Sequence, residues 1–263
     1  MQRRDFLQAS ITTTTAAAAT AAYGLAVAAP PSPAAARELY EWRTYRLSDA
    51  SKQARLHDYL KCAALPAWQR MDLGPVGVFT EIGPDAGPSI HVLLVYPTPD
   101  SLASSREALE QDAEYKKAAA AHLAAKKDAP AFDRIESSLL LAFAAAPKIT
   151  PPAKQPRVLE VRIYENHGED RARAKVDMFN DGEINIFPKC GFENVFFGET
   201  LVGPNLPNLK YMLAAPDMAA NEAGWKTFIT HPDFVKMRDD PKYADTQPNI
   251  RKLFLEPTSY SQV

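Results

Sequence analysis

Two stretches of the chain alternate polar and apolar residues with period two, the mark of a half-buried strand. In Glu41-Trp42-Arg43-Thr44-Tyr45, one face carries Glu41, Arg43 and Tyr45, and the other Tyr40, Trp42 and Thr44. The stripe returns as Glu160, Arg162 and Tyr164, opposite Leu159, Val161 and Ile163. In the first half the pattern predicts a strand over 39–46 and a helix from about Ser51, with Leu56, Tyr59, Leu60 and Ala63 on one face. Pro66 should end or kink that helix. Strands follow over 76–82 and 90–96, then a long helix capped by Asp100 that runs into the Ala-rich body 118–125, then a strand over 135–143. In the second half the strands fall at 158–164, 193–199, 208–213 and 249–255. One helix covers 170–179 and is interrupted at Asn180-Asp181-Gly182, where Asp181 is expected to cap the turn that follows. Another, opened by Pro216-Asp217, carries Trp225 and Phe228, and a short piece follows His231-Pro232-Asp233. Each half reads β-α-β-β-α-β, the ferredoxin-like unit. The two stripes are offset by about 119 residues, and Gly74 and Gly191 by about 117, as expected of an internal duplication. The fold class is therefore α+β, as two tandem ferredoxin-like repeats.

Composition adds limits. The 263 residues are 46% hydrophobic and 24% charged with a net charge of −2, so there is no overall basic field for nucleic acid or anionic membrane. Arg3-Arg4-Asp5-Phe6-Leu7 is a twin-arginine pattern, followed by an uncharged run from Ala9 to Ala29 that is too weakly apolar for a permanent span. Ala26-Val27-Ala28 fits the small-x-small cleavage rule, placing cleavage near Ala28 and the mature chain in the periplasm or secreted. Prolines 147, 151, 152 and 156 mark a semi-rigid linker with little to bury. The expected divisions are a signal and leader over 1–36, a first domain over 37–146, a linker over 147–156 and a second domain over 157–263.

The second half resembles the NIPSNAP family, in its exported tandem-domain bacterial form. The resemblance rests on Met178-Phe179-Asn180-Asp181-Gly182-Glu183, Phe196 to Pro204, Tyr211-Met212-Leu213, His231-Pro232-Asp233-Phe234 and Pro257 to Ser261. The first half looks like a diverged copy, through Tyr40 to Tyr45 and Gly74 to Gly83. The resemblance implies a dimeric α/β barrel, here intramolecular, in which two sheets face each other. It implies little about activity, since fold relatives include heme-dependent enzymes, cofactor-free monooxygenases and binding proteins.

In such a barrel the apolar side of each stripe strand should face the covering helices. Glu41, Arg43, Tyr45, Glu160, Arg162 and Tyr164 would then point into the shared interior, as a neutralised Glu–Arg network or as the floor of a pocket where arginine binds an anionic or carbonyl group. His91 would join Arg43 there if its register matches, as a structural or ligand-contacting residue. No histidine pair has metal-ligand spacing, and no cofactor is expected, heme included. Cys62 reads as a buried small residue and Cys190, beside Lys189, as the better thiolate candidate. The expected function is small-molecule or protein-partner binding through the barrel after export. The alternative is a cofactor-independent monooxygenase or isomerase acting in a barrel cavity, so the enzyme question stays open. No nucleic-acid partner and no stable membrane span are expected, and the pseudo-dimeric halves leave both a monomer and a homodimer open.

Overall fold

The computed structural model describes residues 36–84 and 86–263. The twin-arginine pattern, the cleavage site near Ala28 and most of the leader lie outside the described residues. The first half folds as β1 (Leu39–Arg46), α1 (Ala50–Tyr59), a π-helical turn (Leu60–Ala64), α2 (Leu65–Arg70), β2 (Gly77–Glu81) and β3 (Ile90–Tyr96). It continues with α3 (Pro99–Gln111), α4 (Ala113–Ala118), α5 (Ala120–Leu123) and β4 (Arg134–Ala142). The second half is β5 (Val158–Glu165), α6 (Glu169–Asn180), β6 (Glu193–Val202), β7 (Asn208–Ala215), α7 (Met218–Thr230), α8 (Pro232–Arg238) and β8 (Asn249–Pro257).

The eight strands close into one antiparallel barrel in the order β1-β3-β2-β8-β5-β7-β6-β4. The seams between the halves are β2 with β8 and β4 with β6, so no strand edge is left unpaired. Alternation sends one set of side chains inward, and both halves contribute to a single core. Tyr40, Trp42, Leu93 and Leu140 pack there with Val161, Phe196, Met212 and Leu255. Two further cores lie outside the barrel wall, where each half packs helices on its own sheet.

The expected orientation of the stripe strands is inverted. Tyr40, Trp42, Leu159 and Val161 point into the barrel, while Tyr45 and Tyr164 sit in the outer cores with their helices. Glu41, Arg43, Glu160 and Arg162 therefore lie beneath helices, and each Glu–Arg pair has its own surroundings. The physical reason is that eight strands converge on a narrow interior that bulky apolar side chains fill. The sheet–helix layer supplies the hydroxyl, amide and indole partners that a buried ion pair requires.

Three local expectations also change. Pro66 does not end the helical run at its own position; it sits in the first turn of α2, after the π-helical turn. Thr98 rather than Asp100 caps α3, in a reciprocal box with Ser101. The long helix is broken into three pieces instead of running through the Ala-rich body. The 147–156 segment does contribute to the core: Ile149 is buried in the same cluster as the barrel side chains, and its N–H donates to Glu38 at 2.8 Å.

Candidate functional site

The two copies of the stripe are built differently. In the first half, Arg43 closes a two-point fork on Glu41, Nε to Oε1 at 2.6 Å and Nη2 to Oε2 at 2.7 Å. Tyr96 and Ser137 also donate to Glu41, at 2.9 and 2.8 Å, and the guanidinium lies over Trp68 at 5.6 Å. Burial works against the Glu41 charge, but Arg43, Ser137 and Tyr96 outweigh it and hold its pKa below the usual value. This network is satisfied, and Tyr45 beside it packs edge-on against Phe132.

In the second half, Asn221 and Trp225 of α7 donate to Glu160 Oε2 at 2.8 and 2.5 Å. Arg162 then reaches Glu160 through Nε alone, at 2.6 Å to Oε1. Its guanidinium lies 3.2 Å from the centre of the Trp225 ring. Burial disfavours its charge, but Tyr211, Tyr164 and Glu160 outweigh that, so its pKa is raised. Arg162 forms part of the wall of a cleft of about 400 Å³ between the sheet and the helices. Trp225, Phe228, Phe234 and Tyr243 give the cleft aromatic faces, and Lys175 and Arg238 add further cations. Lys175 is itself buried and donates to Glu183 at 2.9 Å.

Residues 159–262 match the NIPSNAP family. The match is confined to the second half of the chain. A candidate monooxygenase from Fusobacterium nucleatum has a similar structure, with a TM-score of 0.56 at 9% identity, over 85% of this chain and 93% of that one. A second, from Lactobacillus acidophilus, gives 0.55 at 10% identity, over 84% and 94%. A NIPSNAP-like domain protein from Burkholderia xenovorans is 17% identical over 41% of this chain and 91% of its own, with a TM-score of 0.36. No curated protein matches the sequence. The first two likenesses establish the barrel fold.

Beside the cleft of the family-matched half, Tyr164 accepts from Tyr211 at 2.7 Å. Burial, with Tyr164 adding to it, holds the Tyr211 phenol well above its ordinary pKa. Asp181 does not cap the turn after it: it closes α6, and its carboxylate accepts from Lys242 and Tyr243 at 2.5 Å each. His231 is the side-chain cap of α8, accepting from the Asp233 N–H at 3.2 Å.

His91 does face the barrel interior but not Arg43, because the two occupy opposite faces of the sheet. It sits across from Thr44, bonded at 3.0 Å, contacts Glu81 at 2.8 Å and stacks on Trp42. This region is one end of the barrel, where a second cavity of about 680 Å³ is lined by both halves. Sequence reasoning missed its residues Glu81, Lys210 and Arg251. The signal was present in the inward positions, which turn from apolar to polar toward one end: Leu159, Val161, Ile163, Glu165 on β5 and Ala214, Met212, Lys210, Asn208 on β7.

The cysteine expectations reverse. Both are free, but Cys62 is exposed and Cys190 is buried. Burial raises the Cys190 thiol pKa despite Lys189, which removes it as a thiolate candidate. Among the described residues, no group of three or more His, Cys, Asp or Glu could hold a metal ion, and no helix is long and apolar enough to cross a membrane.

Proposed function

We propose that the family-matched half binds a small planar ligand bearing a carboxylate or carbonyl group in its sheet–helix cleft. The observation that carries this reading is the single-point attachment of Arg162. Asn221 and Trp225 occupy the second oxygen of Glu160, so the far side of the guanidinium is left for a ligand, whereas Arg43 spends its fork on Glu41. The aromatic faces of Phe228 and Phe234 suit a flat apolar body, and the volume of about 400 Å³ suits a one- or two-ring compound. The buried carboxylates behind the cleft, Glu160 and Glu183, are each held by strong donors, which favours binding over acid–base catalysis.

Titration of the full chain with 4-hydroxybenzoate, cinnamate and indole-3-acetate, followed by quenching of Trp225 fluorescence, tests the reading. At least one should bind, and Arg162→Leu should weaken it by about tenfold or more, equivalent to about 1.4 kcal/mol. Equal affinity in the variant would remove Arg162 from the site. Turnover of a bound compound in the presence of oxygen would favour the cofactor-independent enzyme.

Two finer readings accompany this one. Each half contributes four adjacent strands in the order 4-1-3-2, which supports a fused pair of ferredoxin-like units able to close the barrel within one monomer. The Arg3-Arg4 pattern supports export by the twin-arginine route. Replacing both arginines with lysine is expected to retain the folded protein in the cytoplasm, as read by cell fractionation; undiminished export would point to another route.

A further inference from the structure

The polar end of the barrel holds a feature that the cleft reading does not use. Lys210 lies on an inward-facing position of β7 and is only 4% exposed. Its ammonium reaches Thr200 Oγ1 at 3.1 Å and Asn208 Oδ1 at 3.2 Å, and among the described residues no carboxylate lies within ion-pair distance. A buried lysine with only neutral partners is costly, because two neutral acceptors do not replace the hydration of a full charge. Burial, with Arg251 adding to it and Glu165 only partly offsetting it, lowers the pKa of Lys210 to about 8.

The surroundings are also unbalanced. Four cationic side chains on inward positions, Arg46, Arg134, Lys210 and Arg251, line the 680 Å³ cavity against two carboxylates, Glu81 and Glu136. Glu136 is bridged to Arg46 and Glu81 contacts His91, while Arg251 is bridged to Glu165 at 2.7 Å. Arg134 has no carboxylate partner within ion-pair distance among the described residues. Deeper in, Trp42, Ile163 and Leu253 provide apolar wall where the cavity meets the packed core.

We propose that this end of the barrel is a second binding site, for an organic oxyanion whose carboxylate or phosphate head sits at Lys210 and whose short apolar tail lies against Trp42, Ile163 and Leu253. The head supplies the buried ammonium with its missing counter-charge, and Arg134 draws the anion to the entrance. The tail displaces water from apolar wall that the core leaves uncovered. The site is built from both halves of the chain and is separate from the sheet–helix cleft.

Calorimetric titration of the full chain with octyl phosphate, octanoate, inorganic phosphate and 1-octanol tests it. At least one of octyl phosphate and octanoate should bind, at least tenfold more tightly than phosphate or octanol, and which of the two binds better identifies the head group. Lys210→Met should weaken that binding at least tenfold, and Arg134→Glu, a surface change that serves if the first variant fails to fold, should slow association and weaken binding. Octanol binding as tightly as the anions, or phosphate as tightly as octyl phosphate, would overturn the proposal. So would binding to neither amphiphile, or binding lost in Arg162→Leu but kept in Lys210→Met.

Discussion

Arg43 and Arg162 occupy equivalent places in two copies of one motif, yet their partners decide different outcomes. Glu41 receives Tyr96 and Ser137 beside the Arg43 fork, whereas Glu160 receives Asn221 and Trp225 and makes only one bond to Arg162. Lys210 makes a prediction at the same scale. Its folded pKa is lowered to about 8 while the unfolded side chain titrates near about 10.4. Between these values the unfolded chain binds more protons, so this lysine's contribution to stability rises with pH from about 8 to about 10.4 and is flat outside that window. The stability difference between wild type and Lys210→Met, measured by urea unfolding, should therefore shift by about 3 kcal/mol in favour of wild type between pH 7 and pH 10.5. A pH-independent difference would mean that Lys210 is solvated.

At the scale of elements, α7 is the support on which the cleft depends. It presents Asn221 and Trp225 to Glu160 from above the sheet, and it can do so because Gly224 lets it approach the chain before β6. A Cβ at Gly224 would meet the Phe192 ring at 2.7 Å and the Cys190 carbonyl at 2.9 Å. Gly224→Ala should cost about 1–3 kcal/mol by overpacking, despite the better helix propensity of alanine. Because α7 must move outward, the variant should also show altered Trp225 fluorescence in the folded state. Equal or greater stability in denaturant unfolding would show that Phe192 can yield. The same scale explains the first helix: Pro66 is tolerated because a π-helical turn resets the hydrogen bonding just before it.

For the whole molecule, closure is the organising fact. The β2–β8 and β4–β6 seams join the halves, and both halves fill one core. A half made alone would expose two strand edges and an apolar sheet face. Residues 157–263 expressed alone are expected to pair with a second copy or aggregate, as judged by light scattering after size exclusion. A soluble monomer with a native circular dichroism spectrum would contradict the shared-core argument.

Much of this architecture was legible in the chain. Period-two alternation located the strands, and Asp217 and the His231-Pro232 break located helix starts. Alternation says that two faces differ but not which one turns inward, and that left the stripe assigned to the wrong side of the sheet. Only tertiary structure decided that the barrel takes Trp42 and Val161 while the charged faces go beneath the helices, since the choice depends on interior volume and on partners distant in sequence. The same holds for the two sites. Asn221 and Trp225 lie about 60 residues from Glu160, and Lys210 meets the residues of the other half only once the barrel closes. Local pattern determined the strands and the recurrence of the stripe; long-range closure determined which partners each charge meets.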